Sequence, residues 1–287
     1  MKRKVYVAVN FLVVFAAFCF LLKIAEIDNI TGIKIHTDKF YLVFIVILLF
    51  AAIHMVKMIR FYLILMENRI KGKRFIKLYI KTTFVNTTLP LKTGELFRMY
   101  CFGQEFDNYE IGILSVLIDR FFDTCGLLII LIPFELLLLK KYSIVTFLLF
   151  IFLLLAASAY LLFPSTYRYL NRYLILNGSS KGVIKTLQFL EEVNEWFKYA
   201  RHLLKGRSAA VFLLSCAAWA LEYFILRIIS DICAFTYSVD AFDIYINAAF
   251  SGASNNLLRV YVLMGAVVFA LTTLIVYGIA YVKRRKS

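Results

Sequence analysis

Two short stretches hold residues whose types and spacing suit chemistry. Residues 86–100 read NTTLPLKTGELFRMY, and residues 117–128 read LIDRFFDTCGLL. In the first, Glu95 and Arg98 are three apart and share one face of a short helix, whose start offers free N–H groups. Backbone donors at a helix start plus a guanidinium fork suit a phosphate, and Lys92 adds a further cation. Pro90 and Gly94 interrupt the backbone just before these groups. In the second stretch Asp119 and Asp123 are four apart on one helical face, and Arg120 and Asp123, three apart, are placed to pair. A charge at the centre of a membrane helix costs about 2.5–3.5 kcal/mol. Either this face begins at a wet interface, or it meets Lys92, Glu95 and Arg98 inside the protein.

The elements that must position these groups are hydrocarbon-rich. The chain has 287 residues, 62% of them hydrophobic and only three of them Pro, and its apolar runs are too long and too frequent for a soluble core. The reading is an all-α polytopic membrane protein. Six runs meet the length of about twenty residues needed to cross a bilayer: 5–22, 40–58, 111–139, 143–163, 208–229 and 260–282. The first resembles a signal peptide but is long and lacks a small-residue cleavage site, so it reads as an uncleaved helix. Two further segments, 75–104 and 241–258, are apolar yet broken by turn formers, and read as re-entrant.

Basic residues orient the chain. The stretch from Arg60 through Arg69, Lys71, Lys73, Arg74, Lys77 and Lys81, the run between the fourth and fifth spans, and both termini are all basic. Together they place amino and carboxyl ends in the cytoplasm of a cell-membrane protein. Of the opposite connections, 23–39 is mixed in charge, Lys140-Lys141 is a tight turn, and 230–258 holds Asp231, Asp240 and Asp243 with no Lys or Arg before Arg259. The excess of 33 Lys and Arg over 18 Asp and Glu therefore reads as topology. Nucleic acid is not a partner, since no recognition motif accompanies the basic residues. The five cysteines and three histidines show no metal spacing, so neither a metal nor a cofactor is expected.

The order span, span, re-entrant segment, span recurs in residues 143–287 after 1–142. Three crossings per half turn the second half upside down, which is an inverted repeat. YIKTTF at 79–84 echoes YINAAF at 245–250, and LFRMY at 96–100 echoes LLRVY at 257–261. The second half carries a cytoplasmic insert, 165–207, in which Val183, Leu187, Leu190, Val193, Phe197 and Leu204 share a helical face. It reads as an amphipathic helix at the membrane interface, with partner docking as the rival. In the second broken segment Gly252 is the candidate break, with Asn255, Asn256 and Arg259 as polar candidates. Glu222 in the fifth span is placed either to pair with Arg259 or to serve a local structural contact.

The pair of signatures, a Leu-Pro-x-x-x-Gly-Glu-x-x-Arg segment followed by an acidic-Arg-x-x-Asp helix, resembles the lysylphosphatidylglycerol synthase transmembrane region, a flippase-like family of membrane proteins. The resemblance implies that Pro90, Gly94, Glu95, Arg98, Arg120 and Asp123 carry the function. It implies a flippase-like transporter of a phosphate-bearing lipid: a phospholipid, an aminoacylated phospholipid or a polyprenyl-linked glycolipid. The alternatives are a non-transporting membrane partner of a lipid- or glycan-modifying enzyme, and the membrane part of a phosphatidylglycerol lysyltransferase system. Lysyl transfer by this chain alone is not expected, because no soluble transferase domain follows its last span. The second half departs from the family pattern, with neither the Pro nor the acidic residue after the break.

Overall fold

The computed structural model describes residues 2–25, 40–89, 93–177, 181–233, 240–251 and 255–285. Pro90, Lys92 and Gly252 lie outside the described residues. Among the described residues the fold is all-helical, with no strand. The helices are α1 (Lys2–Ala25), α2 (Phe40–Leu65), α3 (Gly72–Thr88), α4 (Gly94–Glu105), α5 (Tyr109–Phe134), α6 (Ile144–Asn177), α7 (Lys181–Leu204), α8 (Ser208–Ile232), α9 (Ala241–Ser251) and α10 (Asn256–Arg285). A 3-10 turn, Met66–Asn68, extends α2, and a π-helical turn, Glu135–Leu139, extends α5.

Four stretches of described residues are long and apolar enough to cross a bilayer: Tyr41–Asn68, Tyr109–Leu139, Ile144–Leu176 and Ser208–Ile232. The chain is a multi-pass helical membrane protein. Two span boundaries differ from the sequence reading. The second span continues beyond Met58 to the end of α2 and its 3-10 turn, because Lys57 and Arg60 sit within the helix rather than ending it. The helix that carries the fourth continues past residue 163. Pro164 lies inside α6, which runs unbroken to Asn177, so the first third of the 165–207 insert is a continuation of the same helix. At 1.5 Å per residue its 34 residues reach about 50 Å, well past a hydrocarbon core of about 30 Å.

Helices α3 and α4 are too short to cross, at roughly 25 Å and 18 Å, and they form an antiparallel hairpin. At its open end Arg74 Nη1 pairs with Glu105 at 3.0 Å. At its tip the backbones touch: a Cβ on Gly94 would lie 2.3 Å from Asn86 Cα. The second broken segment is bent by 83° between α9 and residues 256–269 of α10. Asn255 opens the second arm, its Oδ1 accepting from the Leu257 N–H at 3.0 Å as the N-cap of α10. Asn255→Ala is expected to cost about 0.5–2 kcal/mol of stability, measured by equilibrium unfolding in mixed micelles, whereas Asn255→Ser retains most of it.

Two apolar cores pack around a polar middle. One joins α2, α5, α8, α9 and α10 through Phe50, Ile53, Leu131, Ile225, Phe242 and Leu257. The other joins α1 to α4 through Phe61, Phe75, Tyr79, Phe97 and Phe102. Contacts sort the loops by end. Tyr199 on α7 donates to Asn68 Oδ1 at 2.7 Å, and Arg207 pairs with Glu67, so the two basic regions meet at one end of the bundle. Elsewhere Lys141, in the α5–α6 turn, pairs with Asp243 on α9 at 3.1 Å, and that hydrogen bond pushes the Lys141 ammonium above its ordinary pKa. On α7 the stripe from Val183 to Leu204 is the half-buried face, as its spacing predicts.

Candidate functional site

The polar middle is built by α2, α3, α4, α5 and α8. Asp119 and Asp123 project from α5, a helix held against α8 by Gly126, where a Cβ would meet the Ser215 carbonyl carbon at 2.8 Å. That close approach brings Ser215 within reach of a guanidinium reaching across from α2. Arg60, 1% exposed, donates through Nε to Asp119 Oδ1 at 2.8 Å, and through Nη1 to Asp123 Oδ1 at 2.6 Å and Ser215 Oγ at 3.0 Å. Arg120 closes the other side of both carboxylates, donating to Asp119 Oδ2 at 2.8 Å and Asp123 Oδ2 at 3.1 Å. The same Nη1 lies 3.4 Å from Glu95 Oε1.

Arg98 completes the cluster on different terms. Its guanidinium is 3% exposed, lies 5.4 Å from the Phe61 ring centre and 5.3 Å from that of Tyr79, and donates to Thr83 Oγ1 at 2.8 Å. Its nearest carboxylate oxygen, on Asp119, is 4.0 Å away, and its Nε has no hydrogen-bond partner. Glu95 Oε1, Arg120 Nε and Asn86 Oδ1 are likewise buried without a hydrogen bond. Three arginines face three carboxylates, so the cluster is neutral, yet the charges are unevenly spent. Arg60 and Arg120 each hold both aspartates, while Arg98 rests on a hydroxyl and two aromatic faces.

The structure therefore brings Glu95, Arg98, Arg120 and Asp123 together with Asp119, and the face on α5 is buried rather than a wet helix start. Glu222 lies apart from them, and its cation is Lys57 at 2.9 Å, with Tyr261 and Tyr245 donating to its other oxygen. Asn255 is a helix cap, and Asn256 is exposed at the start of α10. Arg259 sits half-buried one turn further on.

The sequence reading misplaced Arg60. Counted there with the solvated basic stretch, it is instead the most enclosed cation of the cluster, because the buried seam of α2 passes through it. Val46, Phe50, Ile53, Lys57, Arg60 and Ile64 alternate at spacings of four and three, so both cations occupy seam positions. That spacing was the available signal. Ser215, Thr83, Trp219 and the two tyrosines carried none, since each is an ordinary residue in an apolar helix.

A bundle of long apolar helices around a neutral, largely buried cluster of arginines and carboxylates defines a polytopic membrane protein with a polar site among its helices. Residues 7–253 match the Lysylphosphatidylglycerol synthase TM region, and the chain belongs to that family, which supports a membrane function concerned with lipid. Neither the curated proteins nor the solved structures contain a match to it.

Proposed function

We propose that the protein binds a phosphate-bearing lipid at Arg98 and moves it across the cell membrane. The observation that carries this reading is the state of Arg98, a buried guanidinium without a close carboxylate and with an unpartnered Nε. A phosphate supplies the charge-assisted acceptor that the site lacks. The Asp119–Arg120–Asp123–Glu95 lattice then holds Arg98 and the α4 start in place, and Lys92, two residues before Gly94 in the sequence, is a candidate second cation. Six crossings are the proposed topology, with α1 and α10 added to the four long apolar stretches, and both termini cytoplasmic. The α3–α4 hairpin and the α9–α10 bend are the two re-entrant segments of an inverted repeat. The echoed sequences support it, because YIKTTF and YINAAF precede the two breaks while LFRMY and LLRVY follow them. Rocking of one half against the other alternates access to the site. By sequence, Gly252 and Arg259 fall in the counterpart of the Arg98 segment.

The test is lipid movement in liposomes containing the purified protein and a fluorescent phospholipid or polyprenyl phosphate. Removing one hydrogen bond to a charged group costs about 1.5–3 kcal/mol, so Arg98→Ala is expected to reduce apparent lipid affinity roughly ten- to a hundredfold. Arg98→Lys retains part of it. Movement by Arg98→Ala equal to that of the parent protein would count against the role.

A further inference from the structure

A second polar cluster lies beside the arginine site and is not used by it. Glu222 stands near the midpoint of α8 and is 2% exposed. Lys57 Nζ on α2 pairs with its Oε2 at 2.9 Å, and its Oε1 accepts from the phenols of Tyr261 on α10 and, at 3.5 Å, Tyr245 on α9. One carboxylate is thus held from three other helices at once. Lys57 also lies 5.6 Å over the Trp219 ring, whose Nε1 donates to the Asp123 carbonyl at 2.9 Å, so the two clusters share a wall. One turn before Lys57, His54 stands edge-on to Phe269 with ring centres 4.4 Å apart, and its Nδ1 is buried without a hydrogen bond. Among the described residues, Asp123 on α5 interacts electrostatically with Tyr245, Arg98 on α4 with His54, and Tyr79 on α3 with Lys57.

The two clusters differ in chemistry. The first draws its cations from arginine alone, and a guanidinium does not release its proton. The second is made of Lys, Glu, Tyr and His, all groups that exchange protons. Each cluster is neutral as it stands. A proton added to Glu222 would leave Lys57 as an uncompensated cation, and Lys57 is the more open partner, with 21% of its side chain exposed.

We propose that Glu222 is a proton-binding site linked to the anionic lipid, protonation freeing Lys57 to face the lipid phosphate. The proton comes from water and adds to a carboxylate oxygen; Lys57 keeps its ammonium proton, and the cluster gains one positive charge. The proton competes with three donors for the same two oxygens, so withdrawal of α9 and α10 and uptake of the proton favour one another. Linkage is reciprocal: the anion favours the proton as much as the proton favours the anion. This rests on the lipid reading of the Arg98 site and adds the ion that accompanies the lipid.

Infrared difference spectroscopy on the full chain in nanodiscs tests it, reading the protonated-carboxyl band as pH is lowered. Phosphatidylcholine discs are compared with discs containing phosphatidylglycerol, at high salt to screen the surface potential of the anionic leaflet. The band is expected in the parent protein and in Glu135→Gln, and is expected to be lost in Glu222→Gln. Its midpoint is expected at higher pH with phosphatidylglycerol, by about one unit for a tenfold linkage, and Lys57→Gln is expected to abolish that difference. Tyr261→Phe removes one competing donor and is expected to raise the midpoint in either lipid. Coincident titrations of the parent and Glu222→Gln would overturn the proposal, as would a Glu222 band indifferent to lipid. If Glu222→Gln does not fold, an unmoved midpoint in Tyr261→Phe does the same. Failure of the Arg98 reading shows elsewhere, as unaltered lipid movement by Arg98→Ala.

Discussion

Arg60→Ala is expected to lower the unfolding free energy by about 3–5 kcal/mol, the cost of stripping one partner from a buried ion pair. The loss falls on three bonds at once, to Asp119 at 2.8 Å, Asp123 at 2.6 Å and Ser215 at 3.0 Å. Arg120 still holds the Oδ2 atom of both aspartates, but the cluster is left one charge short inside the bundle. Equilibrium unfolding in mixed detergent micelles measures the effect, with Trp219 as a fluorophore already in contact with α5. A second variant separates lost charge balance from lost packing: Arg60→Met with Asp123→Asn removes cation and anion together and is expected to recover a substantial part of the loss. Unfolding of Arg60→Ala within about 0.5 kcal/mol of the parent, the range of an ordinary surface change, would mean that water reaches these carboxylates.

Gly94→Val is the second large effect, and it acts through the backbone. A Cβ at position 94 would lie 2.3 Å from Asn86 Cα and 2.6 Å from Asn86 N. Neither atom yields as the end of a side chain does, so the tip of the α3–α4 hairpin must open. Overpacking of this kind costs about 1–3 kcal/mol. The functional loss is expected to exceed that of Arg98→Ala, because Glu95 and Arg98 ride on the displaced helix and lose Arg120 and Thr83 together. Gly72→Ala is the control: nothing lies within 4 Å of its Cβ position, and both stability and lipid movement should match the parent. Parent-like lipid movement by Gly94→Val would show that the close contact at the tip is dispensable.

The charged groups of the α4–α5 region were legible because hydrocarbon makes them conspicuous. Glu95, Arg98, Arg120 and Asp123 stand in apolar surroundings, and their three- and four-residue spacings fix which of them share a face. The same rule misled at Arg60. A cation at the end of an apolar run is ordinarily a topological anchor in the headgroups, and only the seam through Val46, Phe50 and Ile53 pointed inward. Length was only partly legible at α6, where the apolar run read as a span over 143–163 belongs to a helix that continues to Asn177. Asn255 also has a local role that the sequence reading did not name, its Oδ1 accepting from the Leu257 N–H as the α10 N-cap.

What the sequence by itself determined is the medium and the cost: a membrane chain, broken segments, and ionised groups in places where solvation is lacking. Tertiary structure decided how that cost is met. Arg60 reaches its aspartates across 59 and 63 positions of sequence and its serine across 155, and Lys57 reaches Glu222 across 165. Helical periodicity orders neighbours a turn apart and carries no information over such separations. Which cation neutralises which carboxylate, and which guanidinium is left with an unpartnered nitrogen, follows from how the helices pack.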